Sequence, residues 1–140
     1  MTLDFRALFD SLPGPCLVLN ADFTIEAVND AYLLAHGHAR AALVGEPVLA
    51  LFPDLPGFST DQLRASLLRL VQGAERDCLD GIGGVAERTS APDERCWKII
   101  NTALRDSTGT LTHILHRRED VTELMRAQQR EARLREEIST

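Results

Sequence analysis

No run of about eighteen consecutive apolar residues occurs in the chain, which excludes a membrane-spanning helix. The opening MTLDFRALFD carries acids and no apolar core, so it is not a signal peptide. Cysteines are few: Cys16, Cys78 and Cys96 are an odd number, widely spaced. They fit neither a disulfide framework nor a zinc site, and a reducing cytoplasm suits them best. Basic stripes are missing and the formal net charge is −6, which argues against nucleic acid as a partner. Catalytic signatures are missing too. There is no Gly-x-Ser-x-Gly, no phosphate loop and no cysteine set against a nearby histidine, and Gly81-Ile82-Gly83-Gly84 does not open a helix. The chain is therefore not expected to be an enzyme. It shows no internal repeat and no low-complexity run.

What is present is enough apolar material for a core. With 140 residues, 44% of them hydrophobic, one domain plus an appendage is expected. Phe5, Leu8, Phe9 and Leu12 fall at i, i+3, i+4 and i+7, one helical stripe, and Pro13-Gly14-Pro15 stops it. That helix either packs on its own core or is shared with a second subunit. Cys16 to Leu19 and Phe23 to Val28 read as a hairpin around the turn Asn20-Ala21-Asp22. Asn29 then caps a helix with Tyr32, Leu33 and Leu34 on its apolar side, ending at Gly37. Residues 39 to 58 hold short helical turns broken by prolines and glycines. Ser59 and Gln62 form a capping box, and Leu63, Leu67, Leu70 and Val71 give the stripe of a longer helix to Gly73. Cys78 to Arg88 is a strand weakened by Gly81, Gly83 and Gly84.

The stretch Arg95 to Thr122 organises the rest. Trp97, Ile99, Ile100 and Thr102 suit a pleated surface, so Arg95 to Arg105 reads as a strand. Asp106 to Gly109 supply a turn, and Leu111 to Arg118 a second strand. Asp120 is then placed to cap a helix, with Glu123 three residues on as its capping-box partner. Five antiparallel strands with helices gathered on one face make an α+β domain over 13–120, between helices at 1–12 and 121–140.

Trp97, Asn101-Thr102, His116-Arg117 and Glu119-Asp120-Val121-Thr122 resemble the last two strands and exit of a PAS domain, of the type found in bacterial sensor histidine kinases. The run VLNADFTIEAVNDAY is similar to the opening of the same domain. The family has a tyrosine where this chain has Cys96. The resemblance implies a cavity between sheet and helices, with Tyr32, Leu67, Val71, Trp97, Ile99, Asn101, Ile114 and His116 as candidate lining for a small-molecule ligand. It also implies that Asp120 and Thr122 couple the sheet to a signalling helix. Haem-binding members use a histidine on the long helix, which Ser59 to Gly73 lacks. Flavin-binding members need a cysteine in an Asn-Cys-Arg context, also missing here. Neither cofactor is expected.

His113 and His116 lie on opposite faces of their strand and cannot share a metal. His36 and His38 sit at a helix end and turn, and no metal site is expected. His116 is read first as a satisfied structural histidine and second as a sensing group near the exit. On the last helix, Leu124, Ala127, Leu134 and Ile138 form a seam interrupted by Glu131, which can pair with Arg135. A short coiled coil between two subunits is preferred over a solvated, fraying helix. The expectation is thus a cytoplasmic, homodimeric sensor domain of a two-component regulator, held by its terminal helices. The rivals are a dimerisation module with no ligand and a small α+β enzyme with a cavity.

Overall fold

The computed structural model describes residues 2–52, 58–80 and 96–139. In chain order they form α1 (Phe5–Asp10), β1 (Cys16–Asn20), β2 (Ile25–Val28), α2 (Asp30–His36), α3 (Arg40–Leu43), α4 (Val48–Leu51), α5 (Thr60–Val71), β3 (Arg76–Asp80), β4 (Trp97–Arg105), β5 (Leu111–Asp120) and α6 (Thr122–Ser139). The strands make one antiparallel sheet in the order β2-β1-β5-β4-β3. The chain's last strand is therefore its central one, held by β1 on one side and β4 on the other.

Alternation decides which side chains go inward. Leu17 and Leu19 of β1, Ile99 of β4 and Ile114 of β5 meet Tyr32 of α2, Leu43 of α3, Val48 of α4 and Leu63, Leu67 and Leu70 of α5 in one buried cluster. The helices α2 to α5 thus cover a single face of the sheet. Burying one such leucine contributes about 1.5–3 kcal/mol.

Asn29 ties the opening together. Its Oδ1 accepts from Tyr32 N–H at 3.0 Å and from Cys16 N–H at 2.9 Å, and its Nδ2 donates to the Gly14 carbonyl at 2.9 Å. The expected capping box of Ser59 and Gln62 is formed in both directions, and Gly37 closes α2 at φ 69°.

Several expectations need correction. The first helix stops at Asp10 under a Ser11 cap, so Leu12 lies beyond it. β2 begins at Ile25 rather than Phe23, because Phe23 adopts φ 67° to close the turn after β1. Leu34 faces solvent, 89% exposed, because seven residues of α2 offer the sheet only the Tyr32 side. Val71 is half exposed; Leu63, Ser66, Leu67 and Leu70 make the inward stripe of α5 instead. β3 runs from Arg76 to Asp80, earlier than the expected start at Cys78, and the remainder of that segment, 81–88, lies outside the described residues, as does Arg95. β5 continues to Asp120, two residues past Arg118.

Candidate functional site

The inner face of β4 and β5 carries an uninterrupted row of polar side chains. Arg118 Nε donates to His116 Nε2 at 3.1 Å. His116 Nδ1 stands 2.8 Å from Asn101 Oδ1, and Asn101 Nδ2 donates to Ser66 Oγ of α5 at 2.9 Å. All four residues are buried. Asn101 and His116 face each other across the β4–β5 ladder, which fixes their approach. Burial first, then the positive charge of Arg118 and the neighbouring His36, hold the His116 pKa well below its ordinary value. The ring is neutral.

Arg118 anchors an aromatic shelf. Its guanidinium lies 4.8 Å from the centre of the Tyr32 ring and 5.7 Å from that of Phe52. Its Nη1 is 3.4 Å from His36 Nε2, and the His36 ring lies between Tyr32 (4.6 Å) and Trp97 (5.4 Å). Trp97 is half-buried at the rim, beside an open groove of about 510 Å³ whose walls include Pro13, Ala31, Leu34 and Ala35.

Next to Trp97 the sheet hands over to α6. Thr122 is buried. Its hydroxyl accepts from the Cys96 N–H at 2.8 Å and donates to Asp120 Oδ1, which also accepts from the Thr122 N–H at 3.0 Å. Val121 N–H donates to the Cys96 carbonyl at 2.9 Å, and Cys96, Val121 and Met125 form a small apolar cluster of their own. The start of β4, the end of β5 and the first turn of α6 are thereby clamped at one point. Along α6, Leu124, Leu134 and Ile138 are exposed, and Glu131 is paired to Arg135.

Of the sequence-predicted residues, Tyr32, Leu67, Ile99, Asn101, Ile114 and His116 meet on the inner face, filled by their own contacts. Trp97 stands at the rim, and Val71 points away. Asp120 and Thr122 lie together at the exit. His113 is on the opposite face, 2.9 Å from Glu26. Among the described residues no three His, Cys, Asp or Glu side chains gather as metal ligands, and no helix is long and apolar enough to cross a membrane. Sequence reasoning missed Arg118, Ser66, His36 and Cys96. Two of them had a signal: Arg118 shares the period-two face of Ile114 and His116, and Ser66 lies one turn after Leu63.

An open five-stranded antiparallel sheet, covered on one face by short helices and one longer one, and continued by a helix from its central strand, defines an α+β architecture. A family model for the PAS fold matches residues 9–126, and the chain belongs to the PAS family. None of the curated proteins matches it. Among solved structures, it is similar to the PAS domain of Bordetella pertussis BvgS at 22% identity, over 95% of each chain, with a TM-score of 0.61. It is similar to a sensory box sensor histidine kinase from Vibrio cholerae at 17% identity, over 84% of this chain and 90% of that one (TM-score 0.60). A PAS domain from Colwellia psychrerythraea aligns over 85% and 95% at 14% identity, with a TM-score of 0.63. At such identities the likeness is one of fold.

Proposed function

We propose that the chain is a non-catalytic, cytoplasmic PAS sensor domain of a two-component regulator, which passes the state of its inner face to an output domain through α6. The observation that carries this reading is the clamp of Cys96, Asp120 and Thr122. It joins the polar row's own strands to the first turn of α6, so a shift between β4 and β5 changes where α6 points. A small-molecule ligand or a partner that favours one arrangement shifts the population toward it. The similarity to a sensor histidine kinase of Vibrio cholerae supports a kinase as the output. The test is Asp120→Ala. Losing one such acceptor costs about 0.5–2 kcal/mol, which a folded domain survives. In a protein that joins this domain to a kinase, autophosphorylation should change while circular dichroism of the isolated domain stays the same. An isolated domain that unfolds would make Asp120 structural and end the coupling claim.

The domain acts as a homodimer held by its terminal helices. No residue of α1 is buried, and Phe5 is 73% exposed although the helix is capped by Asp4 and tied to Arg40 through Asp10 at 3.5 Å. An apolar stripe so ordered and so uncovered fits a partner's surface. The α6 seam is broken at Glu131, so α1 supplies more of the hold. Deleting residues 1–12 should weaken the dimer more than ending the chain after Arg126. Light scattering at several concentrations decides it, and a chain that stays monomeric at tens of micromolar, about −6 kcal/mol of association, refutes the dimer.

A further inference from the structure

The direction of every hydrogen bond in the inner row is forced by chemistry. A guanidinium has donors and no acceptor, so Arg118 Nε must donate and His116 Nε2 must be bare. A neutral imidazole carries one proton, which then sits on Nδ1 and is donated to Asn101 Oδ1. Asn101 therefore presents its amide nitrogen to Ser66, whose oxygen accepts. The single hydroxyl hydrogen of Ser66 is left to donate toward Asp77 of β3, which faces Asn101 across the β3–β4 ladder and whose pKa is lowered first by Arg69 and also by Ser66. Asp77 is in turn gripped by Arg69 Nε and Nη2, each at 2.9 Å. The side chains of Arg118, His116, Asn101 and Ser66 thus form one chain of four donors, pointing from a buried cation toward the half-buried Asp77. Its polarity cannot reverse, because the Arg118 end cannot accept.

Apolar side chains of similar size would hold this face at no loss of stability, whereas a buried polar chain must be satisfied at every link. What the polar chain adds is mutual dependence. A change in the acceptor at Asp77, or a displacement of α5 that removes Ser66, leaves the Asn101 amide without its target and releases its orientation, and the loss passes to His116 and Arg118. Arg118 lies against His36, which touches Trp97, and β5 reaches Asp120 two residues later. We infer that the row Asp77–Ser66–Asn101–His116–Arg118 is a one-way hydrogen-bond relay, with His116 held as its Nδ1–H tautomer, that couples α5 and β3 to the β5–α6 junction. This rests on the reading above that the junction is the output.

The experiment is nitrogen NMR on the 140-residue chain, labelled on histidine rings and backbone amides. The unaltered chain should show His116 protonated at Nδ1 and bare at Nε2. Ser66→Ala should move the His116 ring nitrogens and the amides of Trp97 and Thr122, and Ser66→Thr, which keeps the hydroxyl, should restore them. Asp77→Asn, at the more exposed end, should move the same signals without altering the core. An Nε2–H tautomer, or shifts that stop at Asn101 in both Ser66→Ala and Asp77→Asn, would overturn the relay. Neither result depends on any output. Failure of Asp120→Ala to change a kinase would remove the function reading and leave the tautomer and the propagated shifts as they are.

Discussion

Replacing Asn101 with leucine should destabilise the domain by about 2–6 kcal/mol, since each buried polar group left unsatisfied costs about 1–3 kcal/mol. Leucine keeps the branched shape and the heavy-atom count of asparagine, and the loss counted here is that of hydrogen bonding. His116 Nδ1–H loses its acceptor, and Ser66 Oγ loses its donor, both in a fully buried setting. The figure is comparable to truncating a core leucine to alanine, about 2–5 kcal/mol. Urea unfolding followed by Trp97, the chain's one tryptophan, measures it. A loss below about 1 kcal/mol would mean that His116 and Ser66 find other partners, and the row would then not be a single satisfied unit.

The parts of this fold that the sequence made legible are those written locally. The capping box of Ser59 and Gln62, the Asn29 cap and the Gly37 stop each depend on residues within one turn, and all form. Residue types suited to a pleated surface placed β4 and β5, and the inward side of Ile99, Asn101, Ile114 and His116 was implied by the resemblance. What could not be read was set by residues far apart in the chain. Ser66 and Asn101 are 35 positions apart, and Arg118 and His36 are 82. Arg118 was read only as the end of a strand, and arginine is rarely buried without partners. Its partners, the Tyr32 and Phe52 rings and a neutral histidine, exist only once α2 and the chain beyond it fold over the sheet. The same holds for Leu34 and Val71, whose spacing suited a buried face. A seven-residue α2 buries one side chain, and α5 spends its inward face on Ser66 rather than on Val71. Thr122 was expected at the exit through resemblance, but its grip on the Cys96 backbone, 26 positions away, required the sheet itself.

Acid should loosen the domain well before its carboxylates titrate. The folded state holds the His116 pKa well below its ordinary 6.5, through burial first and then the Arg118 charge and the neighbouring His36. The groups facing the ring are Arg118 on its own strand, His36 from α2, Asn101 from β4 and, through it, Ser66 from α5 with Asp77 of β3. Among the described residues none of these is an anion in contact with the imidazole, so none of them neutralises a proton placed there. The unfolded chain accepts a proton on this histidine near pH 6.5 and the folded chain does not, so the unfolded state binds more protons and stability falls with pH. Below about pH 6 the slope approaches 1.4 kcal/mol per pH unit for this one group. Asp77 and Asp106 have pKa values lowered from 3.8, by the Arg69 and the Thr108 hydrogen bonds respectively, so their contributions are retained until pH falls below that value. Between about pH 6 and pH 4.5 the histidine therefore contributes more to the slope than either of these aspartates. Urea midpoints measured across that range should fall steadily for the unaltered chain and far less for His116→Gln, which can neither gain a proton nor lose one. Equal slopes in the two proteins would show that His116 does not titrate between the folded and unfolded states in this range.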